Sequence, residues 1–273
     1  MGNEKLSDVR ARHRDQAMRR GLSPRDVDLL LSDLLQQPLS YLIGHDDAVV
    51  DSIAVERLMN RRYAGEPVQY IRGKTEFFSR QFYVDDRALI PRPETEILVE
   101  TAIARAPRGA RVIDVGTGSG CIAISIERTR PDLRVLGADI SIGALAVAAK
   151  NRLALQSRVQ LIASDLLDAI GGTFDLVVSN PPYIAAGEVE TLATEVRDHE
   201  PRVALTPGAR GTEAIERLLN TVRDRLATNG TVIIEIGYGQ ARSVREIAEA
   251  RGFTVERFVP DLAGIPRVAV IRR

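Results

Sequence analysis

The chain has 273 residues, of which 37 are Lys or Arg and 37 are Asp or Glu, so its formal net charge at pH 7 is zero. This balance provides no general attraction to nucleic acid or to a membrane surface. One cysteine and three histidines argue against a disulfide framework and a metal cluster, and no apolar run reaches the roughly 18 residues that predict a membrane span. We therefore expect a cytoplasmic protein without a bound metal.

The N-terminal part of the chain has a helical pattern. Apolar residues recur at helical spacing within 29–35 and 53–59, and proline-containing turns separate these stretches. Aromatic and polar residues then alternate, which is typical of a β-hairpin. We therefore predict a small helical domain over residues 1–75 and a β-hairpin linker over 76–91.

Residues 92–273 have a different pattern, in which apolar strands alternate with amphipathic helices. A helix opens at Pro91–Glu96, because prolines and carboxylates favour the first turn of a helix. The order of the following elements predicts βαβ units, and hence an α/β fold with a doubly wound, mostly parallel seven-stranded sheet and helices on both faces. The predicted strands are 111–115, 133–138, 158–162, 174–179, 231–236, 253–259 and 267–272, and the predicted helices are 119–129, 141–151, 212–227 and 239–250.

A glycine-rich turn follows the first predicted strand of the sheet. Gly116, Gly118 and Gly120 let the backbone approach a ligand closely and leave N–H groups of the next helix facing it. Asp139 lies about 20 residues further on, where a carboxylate grips ribose hydroxyls; alternatively it caps the following helix. Because this pattern also matches the dinucleotide fingerprint, a nicotinamide-dependent dehydrogenase is the rival interpretation of this region.

Three side chains at strand ends favour S-adenosyl-L-methionine over a nicotinamide. Asp114 immediately precedes the glycine-rich turn, where its carboxylate can meet a ligand ammonium or orient the turn. Asp165 ends the third predicted strand, where an adenine amino group would lie. Asn180 ends the fourth strand and faces the same crevice, and a hydride-transfer enzyme has no evident use for it.

The most informative motif is Asn180-Pro181-Pro182-Tyr183, directly after the predicted strand 174–179. Its two prolines hold the loop in one shape. Asn180 can accept a hydrogen bond from an NH2 group through Oδ1, the carbonyl of Pro181 can accept a second one, and the ring of Tyr183 can cover the flat face of the group. This arrangement favours methylation of an amide or base nitrogen. The alternative is a proline turn in which the asparagine caps the backbone.

Several short motifs, each present once, follow one another along the chain. They are Pro67–Gly73, Pro91-Arg92-Pro93-Glu94-Thr95-Glu96, Asp114–Gly120, Asp139–Ser141, Ser164-Asp165, Ser179–Ile184, Glu200-Pro201, Glu235–Gly237 and Asp261–Gly264. With these motifs nearly the whole chain resembles the bacterial protein-(glutamine) methyltransferases that modify peptide chain release factors. The Pro91–Glu96 segment is the more specific signal, because adenine-N6 DNA methyltransferases share Asn-Pro-Pro-Tyr.

The resemblance implies a class I methyltransferase fold, with S-adenosyl-L-methionine as the methyl donor and S-adenosyl-L-homocysteine as the product. It implies direct in-line transfer of the methyl group to the side-chain amide of the glutamine in a Gly-Gly-Gln loop. The N-terminal domain would dock the release factor. We expect a monomer that binds neither a membrane nor nucleic acid directly.

Residue roles also follow from the resemblance. The cofactor-binding residues would be Asp114, Gly116, Thr117, Gly118, Ser119, Gly120, Asp139, Ile140, Asp165, Leu166 and Asn180. The catalytic residues would be Asn180, Pro181 and Tyr183, and the substrate-binding residues Asn180, Pro181, Pro182, Tyr183, Arg92 and Glu94. Arg92 and Glu94 either contact the substrate or cap a helix and brace the domain junction.

Other functions stay open at this point. A glutamine methyltransferase of a ribosomal protein would keep the same amide-binding loop. An adenine-amino methyltransferase of nucleic acid would need a basic face and a base-flipping pocket, which the neutral charge does not favour. A non-catalytic nucleotide-binding module would not need the loop 180–183.

Overall fold

The computed structural model describes residues 2–273, and the chain divides into two compact units. One unit contains the residues up to Gly73 together with Ala193–His199, and the other contains Lys74–Leu192 and Glu200–Arg273. Met1, the first residue of the predicted helical domain 1–75, lies outside the described residues.

The first unit is helical. Its second helix begins after Ser23, whose side chain accepts a hydrogen bond from the N–H of Arg25, and its fourth begins after Asp51, which caps two N–H groups in the same way. These caps satisfy backbone donors that a helix start leaves unpaired. The elements are β1 Asn3–Lys5, α1 Leu6–Arg19, α2 Pro24–Leu35, α3 Tyr41–Gly44, β2 Val49–Asp51, α4 Ser52–Tyr63, α5 Val68–Arg72 and α9 Thr194–Arg197.

A buried ion pair accompanies the apolar core of this unit. The core contains Leu6, Leu30 and Met59, all with at most 1% of their surface exposed. Arg62 on α4 is 4% exposed, and its guanidinium lies 2.8 Å from a carboxylate oxygen of Asp26 and 2.5 Å from one of Glu195. The guanidinium is therefore neutralised where water cannot solvate it.

The second unit contains the predicted sheet. A two-stranded hairpin, β3 Thr75–Phe77 and β4 Arg80–Phe82, precedes it, and the sheet order is β10-β11-β9-β8-β5-β6-β7. The strands from β9 to β7 are parallel, whereas β11 is antiparallel to both of its neighbours, β9 and β10. The predicted doubly wound, mostly parallel seven-stranded sheet is thereby confirmed. Its strands are β5 Arg111–Val115, β6 Arg134–Asp139, β7 Gln160–Ala163, β8 Phe174–Ser179, β9 Leu226–Glu235, β10 Thr254–Pro260 and β11 Pro266–Arg272.

Helices cover both faces of the sheet, because successive strand residues point to opposite sides. Val112 of β5 packs with Leu98 and Ile124 on one face, whereas Ile113 packs with Leu218 and Val244 on the other. The predicted helix 212–227 ends at Val222, because β9 begins already at Leu226 and pairs with Phe174. The helices are α6 Thr95–Arg105, α7 Cys121–Thr129, α8 Ile142–Ala154, α10 Arg202–Leu205, α11 Glu213–Val222 and α12 Ala241–Glu249, with a 3-10 helix over Ala186–Thr191.

The strand order reverses between β5 and β8. From β5 the chain first adds β6 and β7 on one side, and then returns to place β8 and β9 on the other. Ligands of open α/β sheets bind outside the carboxyl ends of the strands at such a reversal.

As for membranes, no helix within residues 2–273 combines the length and apolar character needed to cross a bilayer.

The ion pair of the helical unit gives a first testable expectation. Arg62→Ala leaves the carboxylate of Asp26 buried without its partner, so we expect a loss of about 3–5 kcal/mol in the free energy of unfolding. Arg61→Ala is the matched control. The neighbouring Arg61 is about half exposed where it pairs with Glu66, and such surface pairs contribute less than about 1 kcal/mol. Urea unfolding of the full chain, followed by far-ultraviolet circular dichroism, measures both. Equal losses would contradict the assigned role.

Candidate active site

A cavity of about 310 Å³ opens at the carboxyl ends of the parallel strands. The loops after β5, β6, β7 and β8 each contribute to its wall. Eight of the residues predicted for the site line it, namely Gly116, Gly118, Asp139, Ile140, Asp165, Leu166, Asn180 and Pro182. Residues that the sequence did not indicate also line it, among them Arg87, Ala88, Leu89, Ala144, Val203 and Arg217.

The three predicted glycines fall into two groups. Gly116 and Gly118 have φ values of +76° and +56°, and a Cβ added to either would meet no protein atom within 4 Å. The cavity thus reaches their backbone. A Cβ on Gly120 would instead lie 3.0 Å from Ile124 and 3.1 Å from Ala148. Gly120 therefore lets α7 pack closely against α8 and does not line the cavity.

Asp114 lies behind the glycine-rich turn and is fully buried. Its Oδ2 accepts hydrogen bonds from the Thr117 hydroxyl at 2.6 Å and from the Ala123 N–H at 3.3 Å. Burial raises the pKa of the Asp114 carboxyl to about 7. Of the two alternatives for Asp114, these contacts favour the orientation of the turn.

Thr117 and Ser119 are also buried and do not line the cavity. The Ser119 carbonyl accepts a hydrogen bond from the Asn151 side chain at 2.9 Å. The same side chain is bound to both backbone groups of Tyr83. Thr117 and Ser119 thus stabilise the conformation of the turn on the side away from the cavity.

Asp139 occupies the cavity wall at the end of β6. Its Oδ2 accepts from the N–H of Gly118 and its Oδ1 from the N–H of Ser141, both at 2.8 Å. Burial raises the pKa of its carboxyl. The cap of α8 is Ser141, whose hydroxyl accepts from the N–H of Ala144. The Asp139 carboxylate therefore ties the glycine-rich turn to the end of β6.

Asp165 is paired with a residue that the sequence pattern could not reveal. Its Oδ2 lies 2.7 Å from Nη2 of Arg217 on α11, and both side chains are partly exposed at the cavity. Leu166 follows with a φ of +49°, which is unusual for a leucine, and it also lines the cavity. The meeting of α11 with the end of β7 is a tertiary contact, so no local motif marks Arg217.

The Asn180–Tyr183 loop is held by hydrogen bonds from three directions. Asn180 lines the cavity, and its Nδ2 donates to the Thr95 hydroxyl at 3.2 Å. The Tyr183 hydroxyl lies 3.5 Å from Oε1 of Glu235, and burial and this carboxylate raise the pKa of the phenol to about 12. The Tyr183 carbonyl accepts from Gln240 at 2.9 Å. Tyr183 thus stays protonated, and its backbone is fixed.

The remaining predicted residues lie apart from the cavity. Pro181 is buried. Arg92 pairs with Glu200, with 2.5 Å between Nη2 and Oε1, and Glu94 is exposed just before α6. None of the three is among the residues that line the cavity. The Arg92–Glu200 pair therefore ties the segment before α6 to the loop at Glu200.

Gly211 makes a close backbone contact with the Asn180–Tyr183 loop. Its φ is +76°, and a Cβ there would lie 2.5 Å from the carbonyl oxygen of Tyr183 and 3.1 Å from the N–H nitrogen of Ala185. The Gln240 amide bridges the carbonyls of Tyr183 and Gly211. Only glycine fits at this position without moving the loop.

Comparison with protein families assigns both parts of the chain. Residues 9–73 match the PrmC N-terminal domain, and residues 93–210 match the Methyltransferase small domain.

Named relatives match over most of the chain. The release factor glutamine methyltransferase of Koribacter versatilis is 42% identical over 92% of both chains. That of Neisseria gonorrhoeae is 42% identical over 79% of this chain and 80% of its own. Among solved structures, a methyltransferase from Pyrococcus furiosus superposes with a TM-score of 0.56 over 82% of this chain and 98% of its own. Since the sequence identity is 19%, this last likeness supports the fold alone.

The close contact at Gly211 predicts how much stability is lost when a methyl group is added there. Gly211→Ala combines a strained φ with a clash against the Tyr183 carbonyl, whereas Gly239→Ala has the same φ of +76° and open space around the new Cβ. The left-handed conformation alone costs about 1–2 kcal/mol. We therefore expect Gly239→Ala to lose that amount of unfolding free energy and Gly211→Ala to lose clearly more. Urea unfolding of both variants decides the matter, and equal losses would show that the loop yields to the added methyl group.

Proposed function

Since this chain belongs to the release factor glutamine methyltransferase family, we propose that it methylates the glutamine of the Gly-Gly-Gln loop in class 1 peptide chain release factors. The acceptor is the side-chain amide nitrogen. The observation that supports this most directly is the orientation of Asn180, whose Nδ2 is occupied by Thr95 at the edge of the cavity. This orientation leaves Oδ1 as the atom that can accept a hydrogen from a substrate NH2 group.

The cavity fits S-adenosyl-L-methionine as the methyl donor. The open space beside Gly116 and Gly118 suits close approach of a ligand to the backbone, and Asp139 supplies a carboxylate for the ribose. Asp165 and Leu166 would hold the adenine. When bound, S-adenosyl-L-methionine would supply an electrophilic methyl group on its sulfonium sulfur, and S-adenosyl-L-homocysteine is the product.

The loop at Asn180 would activate the acceptor nitrogen. An amide nitrogen is a weak nucleophile, because its electron pair is delocalised into the carbonyl group. Oδ1 of Asn180 and the carbonyl of Pro181 would accept its two hydrogens and so favour the positive charge that develops on the nitrogen as the new N–C bond forms. The nitrogen then loses one proton to water, and no general base is needed. Tyr183 would pack on the amide plane.

The rival interpretations lose support. Family membership does not favour the nicotinamide-dependent dehydrogenase that the glycine pattern also allowed. Nor do the named relatives favour a ribosomal protein or a nucleic acid as the substrate. The helical unit, in which residues 9–73 match the PrmC N-terminal domain, is the part of the chain that we assign to docking of the release factor.

The substrate is tested by intact mass. A bacterial class 1 release factor, incubated with this protein and S-adenosyl-L-methionine, should gain the mass of a single methyl group. The same factor with the Gly-Gly-Gln glutamine replaced by alanine should gain none. A gain in both samples would place the methyl elsewhere, and a gain in neither would contradict the proposed substrate.

The role of Asn180 is tested by its replacement. Asn180→Ala removes one preorganised acceptor, so we expect kcat to fall by about 10²–10³-fold while the Kd for S-adenosyl-L-methionine changes less. Asn220→Ala is the control, because Asn220 is an exposed residue of α11 whose amide binds only Arg251 among the described contacts. It should retain wild-type kcat. Turnover of Asn180→Ala within about tenfold of wild type would reject the assignment.

A further inference from the structure

We propose that Thr95 and Glu235 are positioning residues that fix which atom of the Asn180 side chain faces the substrate. The proposal rests on the proposed function, because it concerns the same amide-binding loop. Thr95 is the first residue of α6 and Glu235 the last residue of β9. They come from distant parts of the chain and meet beside Asn180.

The contacts form a short relay. Nδ2 of Asn180 donates to the Thr95 hydroxyl at 3.2 Å, and the Thr95 hydroxyl lies close enough to the Glu235 carboxyl to lower the pKa of that carboxyl. The side chains of Thr95 and Glu235 are both almost completely buried, at 2% exposure. Solvent therefore does not compete for these groups.

The chemistry of the groups gives the relay a direction. Above its pKa of about 7 the Glu235 carboxyl is ionised and only accepts hydrogen bonds, and a threonine hydroxyl has one hydrogen. The negative charge therefore attracts the hydroxyl hydrogen of Thr95 toward Glu235 and leaves an oxygen lone pair of Thr95 for Asn180. An amide oxygen facing that lone pair would be repelled, whereas an NH2 group is attracted. The relay thus turns Nδ2 toward Thr95 and leaves Oδ1 for the substrate.

The environment of Glu235 indicates that this pair serves orientation rather than stability. Burial raises the pKa of the Glu235 carboxyl to about 7, and the charge of Glu94 raises it as well, whereas Arg267 and the hydroxyl donors of Thr95 and Tyr183 lower it. Within residues 2–273, its Oε2 has no well-aligned donor. Burying such a carboxylate costs stability that an apolar pair would not cost.

The decisive variant is Thr95→Val, which keeps the shape of the side chain and removes the hydroxyl. We expect kcat for release-factor methylation to fall about 10- to 100-fold, the range typical of supporting groups that orient a functional side chain. The Kd for S-adenosyl-L-methionine and the Tm should stay close to wild type. Thr95→Ser keeps the hydroxyl and should restore most of kcat.

The same helix offers a matched control. Thr101 is also buried in α6, but its hydroxyl donates to the carbonyl of Ile97 within the helix at 2.7 Å. Thr101→Val therefore removes a buried hydroxyl with no connection to Asn180. It should leave kcat at the wild-type value.

Glu235→Gln provides a second variant that does not depend on how valine packs. An amide at this position can donate as well as accept, so the relay loses its direction and kcat should fall. Because the pKa of Glu235 is higher in the folded chain than in the unfolded one, raising the pH through about 4.5–7 costs the wild type stability. At about pH 8 the glutamine variant should therefore be at least as stable as wild type, although less active.

The outcomes separate the two proposals. Failure of the wild type to methylate the Gly-Gly-Gln glutamine would reject the proposed function itself. A methylating wild type with Thr95→Val and Glu235→Gln as active as Thr101→Val would reject the relay alone. Loss of kcat together with loss of Tm and of cofactor binding in both variants would also reject it, because Thr95 and Glu235 would then act structurally.

Discussion

The parallel pairing of β5 with β8 brings together two loops that are 64 residues apart in sequence. The Ser179 hydroxyl at the end of β8 donates to the Val115 carbonyl at the end of β5 at 2.7 Å. The glycine-rich turn and the Asn180–Tyr183 loop begin directly after these two residues. One hydrogen bond across the reversal point of the sheet thus sets the distance between the part of the cavity that suits a cofactor and the part that suits a substrate amide.

Three buried or half-buried carboxylates at this edge of the sheet hold neighbouring groups in place. Asp114 binds Thr117 and the start of α7, Asp139 binds the N–H groups of Gly118 and Ser141, and Glu235 accepts from the Tyr183 hydroxyl. Burial raises the pKa of all three. Each carboxylate therefore lowers the stability of the fold. Each also holds a loop by hydrogen bonds that an apolar residue could not make, and in this respect a preorganised site differs from a packed core.

The sequence predicted the sheet and the loops that form the cavity, because both depend on local patterns. Strand periodicity and glycine spacing identify the turn at Gly116–Gly120, and two prolines identify the loop at Asn180. The contacts that orient these loops were not predictable in the same way. Arg217 meets Asp165 across 52 residues and Asn180 meets Thr95 across 85. Such pairs can be identified only once the order of the strands in the sheet is known. At Gly120 a local pattern was instead misleading. Its place in the motif suggested contact with a ligand, whereas its neighbours are Ile124 and Ala148 of two packed helices.

The size of the effect expected at Asn180 follows from what a misoriented amide would cost. If both orientations of the side chain were equally stable, loss of Thr95 would only halve the competent fraction. The two orientations are not equally stable, however, because Nδ2 facing position 95 without the Thr95 oxygen becomes a partly buried donor without its acceptor. Such a donor costs about 1–3 kcal/mol, which corresponds to about 5- to 150-fold in population. The NH2 group would therefore turn toward the cavity, where it would oppose the NH2 group of a substrate glutamine. In the proposed mechanism, the hydrogen bond between Thr95 and Asn180 would thus control how the substrate amide is held, without placing a charge in contact with the nitrogen that reacts.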